Sequence, residues 1–239
     1  MNLHGDLRVD WCTHAAAKYA VETWHYSKVL PTPPYVRVGA WERSEFIGVV
    51  LFSRGAAPRG PDQFGLKHSE FCELTRVALR QHDTPVSRIL RIALKFLMQR
   101  SPGIRLIVSY ADPNHGHHGG IYQAGGWVYV GQQSATTEYV GPDGKQWHSR
   151  MISPTGRKKV YGRYRPVYKP EECSKVKLSG KLKYLMPMDS EMRTIVNAMA
   201  RPYPKRAGSA GSGTAGNQSE GGGATPTPAL SCGSDGNGQ

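Results

Sequence analysis

The alternation of apolar and polar positions lays out most of the chain. A short first strand is predicted over 3–10. THAAAKYAVETW (13–24) then keeps alanine and valine on a helical repeat behind the capping oxygen of Thr13, and ends at His25-Tyr26. Three prolines make 30–34 a loop. VRVGAWE (36–42) and EFIGVVLFSRG (45–55), joined at Arg43-Ser44, read as a hairpin whose second strand is apolar on both faces and so lies inside a sheet. EFCELTRVAL (70–79) is the next strand. Thr84 as cap and Pro85 as first residue open a helix to Arg100, with Val86, Ile89, Leu90, Ala93, Leu94 and Leu97 on one face. IRLIVSYAD (104–112) is a buried strand. GGIYQAGGWVYVG (119–131) gives a short helix and a strand, and TTEYV with WHSRMI closes as a hairpin about Pro142-Asp143-Gly144. Antiparallel strands followed by a strand–helix–strand unit predict an α+β fold with a mixed, mostly antiparallel sheet and flanking helices.

Charge divides this pattern. The net charge is +13, yet 151–206 holds 14 basic and 4 acidic side chains against 17 and 12 in 1–150. Residues 207–239 hold ten glycines and no lysine, arginine or aromatic residue, a composition that predicts disorder. The expected organisation is a folded domain over 1–152, a basic, tyrosine-bearing extension over 153–206 and a Gly/Ser-rich tail over 207–239. Within the extension, Arg157, Lys158, Lys159, Arg163 and Arg165 alternate with Tyr161 and Tyr164. Such residues neutralise phosphates and stack on unpaired bases, which makes DNA the expected partner; the plainer reading is a solvated basic face. No apolar run is long enough to cross a membrane, and no signal-peptide core opens the chain. Four scattered cysteines argue against zinc and disulfides and for a reducing cytoplasm.

Two segments carry candidate chemistry. In CELTRVALRQHDTPVSRILRIAL a strand turns directly into a helix whose first-turn N–H groups, with Ser87 and Arg88, suit a phosphate; the same pattern also serves as an ordinary connection. In VSYADPNHGHHGGIYQAGGW, polar residues gather past the end of a buried strand, where open α/β sheets place sites. Asp112 there either caps a turn or joins the chemistry, and Tyr122 either packs or donates a proton. His25-Tyr26, ahead of the proline loop, stands at a candidate rim.

WHYS (24–27), IGVVLFSRGA (47–56), CELTRVAL (72–79), TPVSRIL (84–90), VSYADPNHGHHGGIYQAGGW (108–127) and PYPK (202–205) together resemble the Mom family of bacteriophage DNA-modification proteins, over roughly residues 20 to 205. The resemblance implies a fold related to the GNAT acyltransferases. It also implies conversion of adenine N6 in DNA to its carbamoylmethyl (acetamido) derivative, which shields phage DNA from restriction in the cytoplasm of the infected bacterial host. By position in these motifs, His25, Tyr26, Asp112 and Tyr122 correspond to a catalytic group, and Arg76, Ser87 and Arg88 to cofactor contacts. The implied cofactors are acetyl-CoA or a related donor, and non-haem iron with His25 and Asp112 as ligands. One departure is clear: where GNAT proteins carry a glycine-bearing pyrophosphate loop, this chain reads HDTPVS (82–87). A GNAT-type N-acetyltransferase acting on protein or RNA, and a non-catalytic DNA-binding module, are the alternatives.

Overall fold

A computed structural model of the chain describes residues 7–205, apart from positions 56, 58 and 161. In chain order the elements are β1 (Leu7–Trp11), α1 (His14–Trp24), β2 (Tyr35–Glu42), β3 (Glu45–Ser53), β4 (Phe71–Leu79), α2 (Val86–Arg100), β5 (Leu106–Ala111), α3 (Gly120–Ala124), β6 (Val128–Gln132), β7 (Thr136–Val140), β8 (Gln146–His148), β9 (Arg157–Val160), β10 (Arg163–Pro166), β11 (Ser174–Leu178), β12 (Leu182–Pro187) and α4 (Ser190–Ala198). Seven strands form one sheet in the order β1-β2-β3-β4-β5-β12-β6. Neighbours are antiparallel except β4 and β5, which run parallel. The α+β class and the mixed, mostly antiparallel sheet are as expected.

Strand alternation sorts the core into two sides. Ile89, Leu90, Ala93 and Leu97 of α2 and Tyr122 of α3 bury against Val50, Phe52, Leu74, Ile107 and Tyr184. On the opposite face, Ala17, Ala20 and Val21 of α1 meet Val49, Leu51 and Ala78, while Met192 and Val196 of α4 meet Phe71, Val108 and Leu185. The small alanines of α1 let that helix lie close on the sheet. Thr13 caps it as expected, accepting the Ala16 N–H at 3.1 Å, a bond worth about 1 kcal/mol. The helix α2 starts at Val86 with Pro85 in the cap position, because the Thr84 hydroxyl is committed to Glu42 at 2.5 Å.

The expected boundary at 152/153 does not divide the sheet. β12 lies between β5 and β6, with Tyr184 and Leu185 fully buried, and α4 packs behind it. The apolar residues of LKYLMP are interleaved with lysines, and its partners are distant in sequence, so local composition concealed a central strand. The segment before it is an excursion. β6 and β12 pair at Gln132↔Leu182, and after a break β7 and β11 pair at Thr136↔Leu178 in the same register. β8 joins β7, and β9 pairs with β10 as a hairpin in the basic segment. Tyr161 and the tail from 207 lie outside the described residues. Among the described residues, no helix is long and apolar enough to cross a membrane.

Candidate active site

The site begins where β4 and β5 part. They pair only at Phe71↔Leu106, Cys72↔Ile107 and Glu73↔Val108. Beyond that the Leu74 carbonyl has no β5 amide, and the Ser109 hydroxyl donates to it at 2.9 Å. On the other edge of β4, Leu51 pairs with Arg76 and Phe52 with Leu74, so Thr75 is an extra residue, a β-bulge. The bulge reverses the alternation. Cys72 and Leu74 enter the α2-side core, whereas Ala78 enters the α1-side core. Glu73 and Arg76, three positions apart, therefore share the α1 face, where an unbroken strand would oppose them.

His25 ends α1 and is buried. Its Nδ1 accepts the Ser27 N–H at 3.1 Å and lies 2.8 Å from the Ser27 hydroxyl. An amide can only donate, so the neutral ring carries its proton on Nε2. Burial, followed by the cationic surroundings of Arg76, His117, Lys181 and Lys28, lowers the His25 pKa to about 3. The Tyr26 ring lies between those of His25 and His115, each 4.3 Å away, with His117 at 5.4 Å. Burial raises the Tyr26 pKa, Asp112 and Glu73 add to the rise, and Arg76 opposes them. Arg76 is held by its own donors, Nε to the Val29 carbonyl at 3.1 Å and a terminal nitrogen to the Thr75 carbonyl at 2.7 Å.

Asp112 follows β5. Its Oδ1 accepts from the Asn114 backbone at 3.0 Å and side chain at 2.8 Å, and its Oδ2 lies 3.6 Å from Lys181 Nζ. Asn114 also clamps the root of the excursion. Its side chain donates to the Ser179 carbonyl at 2.9 Å and accepts the Ser179 N–H at 3.0 Å.

His25-Tyr26, Arg76 and Asp112 thus converge from three separate stretches of chain. Tyr122 sits on the other side of the strands. Its ring packs 5.3 Å from Trp127 and 5.1 Å from Tyr184, and its hydroxyl lies 2.8 Å from Ser109. Burial is the main reason its pKa rises to about 12. Ser87 and Arg88 occupy the first turn of α2, where the Val86 and Ser87 amides precede any helical acceptor. The turn before them already holds an internal anion. Glu42 accepts the N–H groups of Asp83 at 2.9 Å and Thr84 at 2.8 Å, besides the Thr84 hydroxyl. Burial acts to raise the Glu42 pKa, but these bonds and His82 outweigh it and leave the carboxyl below its usual value.

The donor set does not fit iron. Among the described residues no three His, Cys, Asp or Glu side chains gather around one point. His25 Nδ1 and both Asp112 oxygens are engaged by other groups, in surroundings made positive by Arg76, Lys28 and Lys181. Sequence reading missed Glu73, Lys181 and the clamp on Ser179. Glu73 lay within a quoted motif, but its face depends on the bulge, and Lys181 was assigned to a separate extension.

The sequence is 25% identical over 211 residues to the methylcarbamoylase Mom of Escherichia phage Mu, covering 84% of each chain. Among solved structures it is similar to one assigned as a phosphinothricin N-acetyltransferase, with 11% identity, a TM-score of 0.42, and 77% of this chain and 100% of that one covered. A structure assigned as an acetyltransferase of Acinetobacter baylyi ADP1 gives 11% identity and a TM-score of 0.42, covering 80% of this chain and 97% of that one. The sequence profile of the Mom protein family matches residues 6–205, and the chain belongs to that family.

Proposed function

We propose that this chain is an enzyme that converts the N6 amino group of adenine in DNA to its carbamoylmethyl derivative, acting on phage DNA inside the infected bacterium to protect it from restriction. The observation that carries the reading is the convergence of His25, Tyr26, Arg76 and Asp112 at the parting of β4 and β5, in a chain that matches the Mom family over nearly all its described length.

Adenine N6 is paired inside a duplex and its lone pair is delocalised into the ring, so the base must be extruded or met unpaired, at a cost of a few kcal/mol. Tyr26 offers a ring for such a base to lie against, and the exposed His115 beside it is the ring a base can displace. His25 enters as a neutral donor through Nε2. Asp112 fixes the loop that carries His115, and Lys181 balances its charge. Tyr122 and Ser109 supply hydroxyls at the gap between the strands. Anionic groups of a donor of the acyl-CoA type are held by Arg76 and by Ser87 and Arg88 at the start of α2. Acetyl transfer alone would leave an N6-acetyl group; the carbamoylmethyl group is attached through its methylene, so the new N6–C bond would form at a methylene carbon that loses a leaving group while N6 gives up one proton.

DNA is held by the excursion. Register places Arg157, Lys159 and Tyr164 on one exposed face of the β9–β10 hairpin, with Lys158, Arg163 and Arg165 on the other.

Mass spectrometry of nucleosides from DNA of cells expressing the chain tests the proposal. The expected result is a carbamoylmethyl adenine adduct that is lost in Tyr26→Ala. Unmodified DNA beside newly acetylated protein or RNA would replace the reading with N-acetyl transfer. DNA binding with no modification in any pool would reduce the chain to a binding module.

A further inference from the structure

The excursion leaves the main sheet through two legs that break at the same level. One break covers 133–135, between β6 and β7, and the other covers 179–181, between β11 and β12. The strand ladder is interrupted there, and the strands beyond it pack chiefly on one another. The direction of the excursion is therefore set by the bonds made at the break. The Gln133 amide and the Gln132 side chain tie one leg to the Lys181 and Gly180 carbonyls of the other. A Cβ at Gly180 would overlap the Gln133 carbonyl, so only glycine lets the legs lie this close. From the side of the site, the second leg is met by Asn114 at Ser179, beside the approach of Lys181 to Asp112.

Asn114 lies between Asp112 and the exposed ring of His115, in the turn 113–115. Its amide has one orientation that satisfies its three bonds. The Ser179 N–H can only donate, so it faces Oδ1 at 3.0 Å. The Ser179 carbonyl at 2.9 Å and Asp112 Oδ1 at 2.8 Å can only accept, so they take the two hydrogens of Nδ2. A flipped amide would oppose all three. One side chain thus bonds both main-chain groups of Ser179, as a neighbouring strand would, and reaches on to the carboxylate that fixes the His115 loop. Asn114 and Ser179 are exposed, so water can replace these bonds at little cost in stability. What they set is placement. The DNA backbone is gripped on the excursion while the base lies against Tyr26, and a displacement of about 1 Å between the two can cost about 100-fold in rate. We propose that Asn114 is a positioning residue that fixes the DNA-holding excursion to the loop of the site, so that DNA gripped by the hairpin presents its base to Tyr26. The assignment rests on the adenine reading given above, and on the hairpin as the DNA contact, and deepens both.

The test uses the full chain and three readouts: the initial rate of adduct formation in cells at equal expression, affinity for duplex DNA, and urea unfolding. Asn114→Ala keeps the backbone amide that bonds Asp112. It is expected to unfold and to bind duplex DNA as wild type does, and to form adduct about 100-fold more slowly. Asn114→Asp keeps the shape and the acceptor for the Ser179 N–H but brings oxygen to two acceptors, and is expected to be as slow. A hairpin variant with Arg157, Lys158, Lys159, Arg163 and Arg165 changed to glutamine is expected to bind duplex DNA more weakly and to be slow as well. Adding Asn114→Ala to it is expected to slow the reaction no more than about threefold further, because the tie then has no grip left to place; independent roles would multiply. Losses that multiply, a wild-type rate or earlier unfolding in both Asn114 variants, or wild-type DNA affinity in the hairpin variant overturn the assignment, while wild-type adduct keeps the adenine reading standing. A wild type that makes no adduct takes both down.

Discussion

At the scale of single residues, the site is defined by which atoms are already engaged. Burial keeps His25 neutral and the Ser27 amide puts its proton on Nε2, and the neutral state can be measured without activity. Its folded pKa of about 3 lies below the ordinary value of 6.5, so the unfolded chain takes up the proton first as pH falls. The stabilisation from keeping the ring neutral is therefore full above pH 6.5 and is lost progressively down to pH 3. By pH 5 this loss is up to about 2 kcal/mol. Urea unfolding at pH 7 and pH 5 should show a smaller drop in His25→Gln than in wild type by that amount; equal drops would mean that the ring titrates normally. Tyr122→Phe separates packing from chemistry. Removing one buried hydroxyl costs about 1 kcal/mol, because Ser109 keeps the Leu74 carbonyl as partner. Loss of a proton donor should lower adduct yield by at least about 100-fold. A yield within threefold of wild type would return Tyr122 to the core as a packing residue. His25 and Tyr26 were legible in the sequence because a helix end followed by prolines marks a candidate rim; their engaged atoms were not, since these depend on how the following turn folds.

At the scale of elements, the apolar pattern gave strands and helices close to their observed ends where local signals were strong. It failed where a long-range partner decided the outcome. Thr84 followed by Pro85 has the chemistry of a cap, yet its hydroxyl goes to Glu42, 42 residues earlier and at the end of β2. Glu42 thereby ties the β2–β3 hairpin to the start of α2. Glu42→Ala leaves the buried Thr84 amide and hydroxyl and the partly buried Asp83 amide without this acceptor, and should cost about 2–3 kcal/mol in chemical unfolding. Glu42→Gln should recover part of it, because its carbonyl oxygen still accepts. If Glu42→Ala is as stable as wild type, the turn is held by other contacts. The Thr75 bulge escaped for the same reason: its extra residue is defined only by the partner strand, and period-two reading sets Glu73 and Arg76 on opposite faces.

At the scale of the whole molecule, charge and fold are distributed differently. The sequence places the basic excess after residue 150, but the sheet reclaims β12 and α4 from that stretch and leaves the excursion between β6 and β12 with most of it. Both ends of the excursion return to one place. The Gln133 amide meets the Lys181 carbonyl at 2.9 Å, and the Gln132 side chain meets the Gly180 carbonyl at 2.8 Å. Asn114 binds Ser179 there, and Lys181 faces Asp112, so the root of the excursion is also the rim of the site. This construction predicts that DNA contacts on the excursion are separable from folding of the sheet. Arg157 and Lys159 are exposed, Lys158 is half-buried, and the β9–β10 ladder is made by backbone, so neutralising all three with glutamine leaves the core untouched. Each phosphate contact removed should flatten the slope of log affinity against log salt by about 0.9 on duplex DNA. The triple variant should therefore bind more weakly at low salt, converge on wild type as salt rises, and unfold at the same denaturant concentration. Tyr164→Ala should behave differently, weakening single-stranded DNA by about 1–3 kcal/mol with little change of slope, because stacking releases no counterions. A triple variant with the wild-type slope would move the DNA interface off this hairpin, leaving Lys175 and Lys177 of β11, both exposed, as the next cations to neutralise.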